Sequence, residues 1–420
     1  MPRIAIVDLS FHWPPTGGSW VDVAHIASEL ADHGAAVRIV VPRVDTGGLR
    51  RGHITEAPPV EVEQVPVSLH QFTALALPRI LESRVRAWRP DFVMITNTFA
   101  MAPWVARVFR DLPVLLRIYG YEILCPFYMS LWPKGKVGQW ALSNPRAEIC
   151  NRNYLTSPWA CTACALRGIG RELLPRWMNP FSHEYVASGG WLPGYHKAVG
   201  KAFDVAHRIL VSNEFTAGIL HRWSSKVTVV PGGVDVGRFS PGRPSGEPCV
   251  LMPGRVEDPR KGYAVFREMV HRLVKRGVSL RAMVTDPRYD GNSPHIRSAG
   301  WVPYHDMPAL LRSSRVVVVP TMWPEPFGLI ALEAMASGVP VVVHRIGGLA
   351  NLVEDGVSGL VVTPGDVESL ADRVATLLND DGLWLRMSQA ARERALTFSW
   401  RTTVEAHYLS IFGMIPRSDA

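Results

Sequence analysis

The sequence predicts an α/β protein built from two doubly wound, parallel-sheet domains. Three observations lead to this prediction. The chain of 420 residues is too long for one ordinary core, short buried-type strands alternate with helical segments, and a linker-like stretch separates two series of strands. Hydrophobic residues make up 47% and charged residues 20%, which is the composition of a globular protein.

The first domain is predicted over residues 1–238. Its strands are continuous apolar runs, typical of a parallel sheet covered by helices on both faces. They are Ile4–Leu9, Val37–Val41, Phe92–Ile95, Val114–Ile118, Ile209–Ser212 and Val227–Val230. A Pro/Gly-rich loop with Gly17 and Gly18 follows the first strand, and a helix comes next, at whose start Ser19 and Asp22 fit a capping box.

The second domain is predicted over residues 247–397, because residues 239–246 are rich in Pro, Gly and Ser and have the composition of a linker. Its strands are Val250–Met252, Leu280–Val284, Val316–Val319, Val341–Val343 and Leu360–Val362. Ligands of such sheets bind outside the carboxyl ends of the strands, so the cleft between the domains is the predicted site.

Residues 125–193 predict an irregular insertion in the first domain, rich in Trp, Pro, Gly and Asn and without a clear period. Four of the five cysteines lie in it: Cys125, Cys150, Cys161 and Cys164. The last two have the C-x2-C spacing of a zinc knuckle, so one interpretation is a structural zinc held by four thiolates. A cluster of free thiols is the other interpretation.

The net charge of +8 suits an anionic partner such as a nucleotide. There is no basic run of five or more residues and no nucleic-acid-binding signature, which argues against a nucleic-acid partner. The sequence shows no signal peptide and no apolar run of about 20 residues that could span a bilayer. We therefore expect a cytoplasmic protein and leave peripheral membrane contact open.

Glu333 is the one carboxylate of a nearly all-apolar helix predicted from Gly328 to Gly338. A buried carboxylate costs several kcal/mol unless a partner satisfies it. Two vicinal hydroxyls, such as those of a ribose, would do so, and so would an internal ion pair with a core arginine. At the level of the sequence both interpretations remain open.

Three further segments have chemistry that suits phosphate. The amides of Gly328 and Leu329 open the apolar helix, and Glu325 precedes them. Arg255 and Lys261 follow a buried strand and supply two cations. A Gly-Gly pair at 347–348 forms a third candidate, a backbone-amide site. A capped helix start, solvated loop cations and an ordinary turn are the simpler alternatives.

Taken in order, these motifs resemble the GT-B glycosyltransferases of family 4, whose E-x7-E motif matches Glu325 and Glu333. The resemblance covers nearly the whole chain and implies two Rossmann-like domains facing across a cleft. It also implies that residues 398–420 form a last helix returning to the N-terminal domain. The implied activity is retaining, front-face transfer of a sugar from a UDP- or GDP-type donor to a small-molecule, lipid or glycan acceptor, with no metal or other cofactor required.

The resemblance also implies residue roles. The residues implied to bind the donor are Gly17, Gly18, Gly254, Trp301, Val302, Phe327, Gly328, Leu329 and Glu333. The residues predicted to be catalytic are Arg255, Lys261, Glu325 and Tyr119. Of these, Arg255 and Lys261 are implied to hold the diphosphate and Glu325 the sugar. Glu333 is implied to hold the ribose.

Tyr119 departs from the family pattern, since many relatives carry a histidine at the matching position. A tyrosine is a poor base near neutral pH, because its unperturbed pKa is about 10. Either the donor phosphate or sugar is then held differently, or the acceptor needs no base, as for a reactive nucleophile such as a thiol. Alternatively, the chain binds a nucleotide sugar without turning it over.

Overall fold

The computed structural model describes residues 1–46, 49–121, 123, 159, 184, 186–190, 192, 194–242, 244, 246–287, 289, 291 and 293–415. The described residues form two compact units. Those of the first unit fall within Met1–Trp132, Pro145–Val230 and Val404–Ala420, and those of the second within Pro231–Thr403.

The first unit contains one sheet, in the order β3-β2-β1-β5-β6-β7-β8, with β4 also paired to β2. Its strands are β1 Arg3–Val7, β2 Ala36–Thr46, β3 Leu49–Arg51, β4 Glu61–Pro66, β5 Phe92–Ile95, β6 Val114–Ile118, β7 Ala206–Val211 and β8 Val227–Val229. All pairings are parallel except that of β3 with β2. The predicted parallel sheet is confirmed, and β3 and β4 extend it on one side.

Helices cover this sheet. The α-helices up to residue 230 whose full range the structure describes are α1 Gly18–Asp32, α2 Leu77–Ala87, α3 Ala102–Val108, α4 Gly194–Val205 and α5 Glu214–Leu220. Val93 and Leu116 of the central strands pack with Leu81 of α2, Val105 of α3 and Val199 of α4 in one fully buried cluster. Each such side chain contributes about 1.5–3 kcal/mol when it leaves water, so the covered faces of the sheet hold the unit together.

The second unit contains a six-stranded sheet in the order β11-β10-β9-β12-β13-β14, parallel throughout. Its strands are β9 Cys249–Met252, β10 Arg281–Val284, β11 Ile296–Ser298, β12 Val316–Val319, β13 Val341–His344 and β14 Leu360–Val362. The five predicted strands are present. The short edge strand β11 was not predicted, because its Ile-Arg-Ser sequence has no apolar run.

The remaining helices are α6 Tyr263–Lys275, α7 Met307–Arg312, α8 Leu329–Ala336, α9 Leu349–Leu352, α10 Val367–Asn379, α11 Asp381–Leu396 and α12 Trp400–His407. Helix α8 is the predicted apolar helix, and it is buried between Gly328 and Gly338, both in the left-handed region. No described helix combines the length and apolar character needed to cross a bilayer.

The capping box expected at Ser19 and Asp22 is wrong. Helix α1 begins at Gly18, and its N-cap Gly17 has no side-chain hydrogen bond. Asp22 is instead a buried residue of α1, and its carboxylate accepts a hydrogen bond from Arg117 of β6. The predicted insertion at 125–193 lies almost entirely outside the described residues, and so do Cys125, Cys150, Cys161 and Cys164.

Candidate functional site

The strand order of the second sheet reverses between β9 and β12. The chain adds β10 and β11 on one side of β9 and then returns to place β12 on the other side. Ligands of open α/β sheets bind at such a point, beyond the carboxyl ends of the strands. The loop after β9 carries Gly254, Arg255 and Lys261, and the loop after β12 carries Glu325. The structure therefore places two of the predicted segments at one switch point.

Backbone contacts join these two loops. The carbonyl oxygen of Arg260 accepts hydrogen bonds from the amide of Met322, at 2.8 Å, and from the hydroxyl of Thr321, at 2.9 Å. Gly262 has φ +80°, and a Cβ there would lie 1.9 Å from the carbonyl oxygen of Pro320. Glycine is needed at this position both for its backbone conformation and for the close approach.

His344, at the end of β13, contacts the loop that follows β12. Its Nδ1 lies 2.9 Å from the carbonyl oxygen of Thr321, and its side chain is fully buried. Burial lowers the pKa of His344 to about 4. The ring is therefore neutral near pH 7, and Nδ1 donates the hydrogen bond that holds Thr321.

Lys261 and Glu325 meet across the switch point. Nζ of Lys261 lies 3.1 Å from Oε2 of Glu325, and the indole Nε1 of Trp323 donates to the same oxygen at 3.0 Å. The guanidinium of Arg260 lies 5.1 Å from the centre of the Trp323 ring and is paired with Asp258 at 2.6 Å. The predicted pair thus belongs to a network that includes Trp323, a residue the sequence did not single out.

Arg255 is not fixed in this network. Its side chain is 58% exposed, and its ion pair among the described residues is a 4.0 Å contact with Asp258. The glycine before it has φ +128° and donates its amide to Thr285 at 2.9 Å, so the amide of Gly254 is not open to a ligand. Arg255 is thus a largely exposed cation at the edge of the site, whereas Lys261 is paired within it.

The start of α8 presents backbone donors next to Glu325. Among the described residues, none accepts a hydrogen bond from the amides of Phe327, Gly328 or Leu329. Gly328 has φ +95°, and a Cβ there would lie 2.3 Å from the Leu349 side chain, so this turn requires glycine. Open amides and the helix dipole together favour an anion at this position.

Glu333 lies in the next turn of α8 and is 4% exposed. Burial raises its pKa to about 8, and the charge of Arg238 opposes this effect. Arg238 pairs with Asp235 instead, at 3.6 Å, and its guanidinium lies 5.0 Å from the centre of the Tyr304 ring. Within the described part of the chain, Glu333 has no ion pair, so the internal pair that the sequence left open is not formed.

The Gly347–Gly348 pair serves packing and does not provide two open amides. The amide of Gly348 donates to the carbonyl oxygen of Glu325 at 2.7 Å. A Cβ at Gly347 would lie 2.4 Å from that same oxygen, and one at Gly348 would lie 2.6 Å from the carbonyl oxygen of Pro326. The expected anion site is therefore corrected: these glycines let the β13 loop support the Glu325 loop.

Trp301 and Val302 follow the edge strand β11, whose carboxyl end points the same way as those of β9 and β12. The Trp301 side chain is 52% exposed. The hydroxyl of Ser298 accepts from the amide of Gly300 at 2.9 Å and donates to the carbonyl oxygen of Asp286 at 2.6 Å. The loop is thus fixed at its base while its indole remains open to solvent.

The first unit holds Tyr119 in a buried polar cluster. Its hydroxyl donates to Oδ2 of Asp22, and Nη2 of Arg117 lies 3.3 Å from the same oxygen. Removal from water, followed by the nearby Asp22 carboxylate, raises the pKa of Tyr119 well above its ordinary value of 10. Gly17 and Gly18 lie at the start of α1, the helix that carries Asp22.

The switch point of the first sheet lies between β1 and β5, where Asp8 follows β1. The fully buried Asp8 accepts from the hydroxyl of Thr96 at 2.8 Å and from the amide nitrogen of Asn97 at 2.7 Å. A small cavity of about 30 Å³ opens beside Thr96, Asn97, Thr98 and Tyr119. The Thr98 hydroxyl is buried and has no hydrogen-bond partner among the described residues.

Sequence reasoning missed Asp8, Asp22, Trp323 and the 96–98 segment. Asp8 and Thr96 directly follow buried strands, so a search for polar residues at the carboxyl ends of strands would have found them. Nothing local marks Asp22, because its partner Arg117 lies 95 residues away.

Two family sequence models match this chain. The model described as "Glycosyl transferases group 1" matches residues 235–394, and that described as "Glycosyl transferase 4-like domain" matches residues 17–164. The first model covers the switch point of the second sheet. The second model covers Asp22 and Tyr119 of the first unit and begins after Asp8.

Curated relatives share a quarter to a third of their residues with this chain over the matched parts. The D-inositol 3-phosphate glycosyltransferase of Corynebacterium efficiens is 33% identical over 225 residues, 46% of this chain and 53% of the relative. The phosphatidyl-myo-inositol mannosyltransferase of Mycobacterium leprae is 25% identical over 260 residues, 56% of this chain and 69% of the relative. The chain thus spans about half the length of the inositol-phosphate relative.

Solved structures share the fold over nearly the full length. The sucrose-phosphate synthase of Thermosynechococcus elongatus has a TM-score of 0.67 at 18% identity, covering 98% of this chain and 100% of that one. HepE of Anabaena, in complex with UDP and glucose, has a TM-score of 0.64 at 16% identity, covering 99% and 100%. At these identities the likeness concerns the fold alone.

Proposed function

Because the chain belongs to the GT-B glycosyltransferases of family 4, we propose that it transfers a sugar from a nucleoside-diphosphate donor to an acceptor and retains the anomeric configuration. The observation that carries the proposal is the pairing of Lys261 with Glu325 beside the open amides of α8. The site combines a cation, a helix start that can bind an anion, and a carboxylate that can accept hydrogen bonds from hydroxyls. These groups at one switch point suit a diphosphate linked to a sugar.

In this proposal each part of the donor has a partner in the second unit. Lys261, Arg255 and the amides of residues 327–329 bind the diphosphate. Glu325 accepts from the sugar hydroxyls, and Glu333 accepts from the ribose hydroxyls. The backbone around Trp301 lies against the base. HepE has been solved with UDP and with UDP-glucose, which supports a donor of this kind.

The reaction would proceed on one face of the sugar. The bond between the anomeric carbon and the β-phosphate oxygen breaks, and its electron pair stays on the phosphate. The acceptor oxygen forms its bond to the anomeric carbon on the same face, and its proton passes to the leaving phosphate. Lys261, Arg255 and the start of α8 stabilise the charge that develops there, the role a divalent metal has in other enzymes. We therefore propose turnover without a metal.

We place the acceptor in the pocket of the first unit. The hydroxyl and amide groups of Thr96, Asn97 and Thr98 line it together with mainly apolar side chains, and these polar groups suit the hydroxyls of a polyol. Two of the relatives are named for inositol 3-phosphate and phosphatidyl-myo-inositol. Inositol is a polyol, so these names agree with such an acceptor.

A second candidate is a protein that binds a nucleotide sugar without transferring it. Tyr119 motivates this alternative, because it stands where many relatives carry a histidine and its hydroxyl is bound to Asp22. A transferase that uses a reactive nucleophile, such as a thiol, would explain the same observation, since that acceptor needs no base.

Two measurements test the proposal. A nucleoside diphosphate that binds the folded chain raises its melting temperature by mass action, so UDP and GDP are screened first. Release of the same nucleotide from its sugar conjugates is then followed with polyols and thiols as acceptors, and the anomer formed is identified by NMR. Binding without release supports the second candidate. The absence of any nucleotide-dependent shift, or an inverted product, contradicts the proposed transferase.

A further inference from the structure

One oxygen of Glu325 accepts two hydrogen bonds, while the other accepts none from the described residues. Oε2 lies 3.1 Å from Nζ of Lys261 and 3.0 Å from Nε1 of Trp323. Oε1 has no described partner, and the side chain is 16% exposed. The carboxylate is thus held by one edge and presents the other.

Trp323 is itself held firmly. Its side chain is almost completely buried, and the Arg260 guanidinium lies over its ring at 5.1 Å. Asp258 fixes that guanidinium through Nε at 2.8 Å and Nη2 at 2.6 Å. The indole can only donate, so its direction is set by this packing and cannot adapt by accepting a bond.

Lys261 faces two demands at this site. It pairs with Glu325 in the structure, and the proposed function requires the same ammonium at the diphosphate. A lysine ammonium is a compact charge on a flexible stem and can turn from one anion to the other. When it does, the carboxylate of Glu325 loses its counter-ion, and Trp323 is the remaining donor to Oε2.

We propose that Trp323 is a positioning residue that keeps Oε2 of Glu325 in place when Lys261 turns to the diphosphate. The free oxygen Oε1 is thereby aimed at a hydroxyl of the transferred sugar. Trp323 donates to the Glu325 carboxylate, so in this proposal it acts on the sugar through Glu325. This inference rests on the proposed function and extends it to a residue outside the family motif.

The test separates sugar binding from nucleotide binding. Trp323→Phe keeps an aromatic ring beneath Arg260 and removes the N–H donor. Calorimetry gives the dissociation constants of UDP and UDP-glucose, and of GDP and GDP-mannose, for each variant. We expect affinity for the nucleotide sugar to fall about 10- to 100-fold, the effect of losing a hydrogen bond to a charged group. Affinity for the nucleoside diphosphate should stay within about twofold, since the indole N–H of Trp323 donates to Glu325, the proposed partner of the sugar.

The chain contains a matched control. Trp384 is also buried, donates its Nε1–H to the carbonyl oxygen of Arg315 at 2.7 Å, and lies under the Arg315 guanidinium at 4.9 Å. Trp384→Phe should therefore cost similar stability and leave both dissociation constants unchanged. In a Glu325→Gln background, Trp323→Phe should have little further effect on nucleotide-sugar affinity, because the two residues act as a unit.

Each outcome decides the matter. An equal loss of affinity for nucleoside diphosphate and nucleotide sugar in Trp323→Phe would show a general structural role and overturn the inference. Unchanged nucleotide-sugar affinity would overturn it as well, while leaving the proposed function intact if the wild-type chain binds the donor. If the wild-type chain binds neither nucleotide nor nucleotide sugar, the proposed function fails, and the inference fails with it.

Discussion

The ammonium of Lys261 and the carboxylate of Glu325 form an ion pair of 3.1 Å between loops that follow two neighbouring strands. The two side chains are 31% and 16% exposed, so solvent weakens the pair, and its contribution to stability is about 0–1 kcal/mol. The pair therefore adds little stability, and its main effect is to place a cation beside a carboxylate that can accept hydrogen bonds.

Lys261→Ala should separate catalysis from stability. We expect the rate of nucleotide release to fall about 100-fold or more, because the charge on the departing diphosphate loses its main stabilising cation. The free energy of unfolding, measured in urea, should change by less than about 1 kcal/mol. Lys275→Ala, at the exposed end of α6, is the control and should change neither. A rate equal to that of the wild type would remove Lys261 from the proposed mechanism.

Glu333→Gln should reveal the raised pKa of this carboxyl through stability. Its pKa is about 8 in the folded chain against an ordinary value of 4.5, so the folded state binds the proton more tightly. The wild type should then lose stability as the pH rises from about 4.5 to 8, with the loss complete above 8. The variant has no such titration, so its melting temperature should exceed that of the wild type increasingly over this range.

The same variant should lose the donor. Ribose hydroxyls bind best to the ionised carboxylate, so wild-type affinity for the nucleoside diphosphate should rise with pH up to about 8. The affinity of Glu333→Gln should be at least about tenfold lower and nearly independent of pH. Glu393→Gln, on the exposed face of α11, is the control. Tight, pH-independent donor binding by the variant would exclude Glu333 from the ribose site.

The sequence predicts the fold well where burial is complete. Phe92–Ile95, Val114–Ile118, Val316–Val319 and Leu360–Val362 have the same bounds in the structure as in the prediction, because short, mainly apolar runs are typical of buried strands in a parallel sheet. The strand Glu61–Pro66 at a sheet edge has only two apolar side chains, Val62 and Val65, among polar residues, and such a composition is shared with exposed loops. The prediction therefore fails at strands without an apolar run, whereas the apolar edge strand Leu360–Val362 was found.

The site is predictable to the extent that it follows chain order. Glu325 and Lys261 were found because each follows a buried strand, and the parallel sheet brings those strand ends together. The hydrogen bond from Trp323 to Glu325 depends on loop packing. The contact of Asp22 depends on Arg117, which lies far away in the sequence. Neither leaves a periodic or local signal in the sequence.

Tyr119→Phe and Asp22→Asn should differ sharply. The Tyr119 hydroxyl donates to Asp22, so it holds a carboxylate and does not accept a proton. Its loss should change the turnover rate by less than about tenfold, because no proton transfer depends on it. Asp22→Asn removes the counter-ion of the buried Arg117 and should lower the free energy of unfolding by about 3–5 kcal/mol. A loss of turnover of 100-fold or more in Tyr119→Phe, at unchanged stability, would instead identify it as catalytic.

Turnover should continue in EDTA. The proposed stabilisation of the leaving phosphate comes from Lys261, Arg255 and the amides at the start of α8, which chelation does not touch. Nucleotide release is measured before and after treatment with EDTA and then with added magnesium. A complete loss that magnesium restores would contradict the metal-independent mechanism.

Thr98→Val should raise stability and weaken acceptor binding together. The Thr98 hydroxyl is buried without a partner among the described residues, and such a group costs about 1–3 kcal/mol that a methyl group of similar shape does not. The variant should therefore unfold at higher urea concentration. If the pocket binds a polyol, that hydroxyl gains its partner from the acceptor, and the acceptor KM should rise about tenfold with kcat little changed. Thr96→Val is the matched comparison, because its hydroxyl donates to Asp8 at 2.8 Å, and its loss should destabilise the chain. Stabilisation by Thr98→Val with an unaltered acceptor KM would leave the hydroxyl as a purely structural cost and place the acceptor elsewhere.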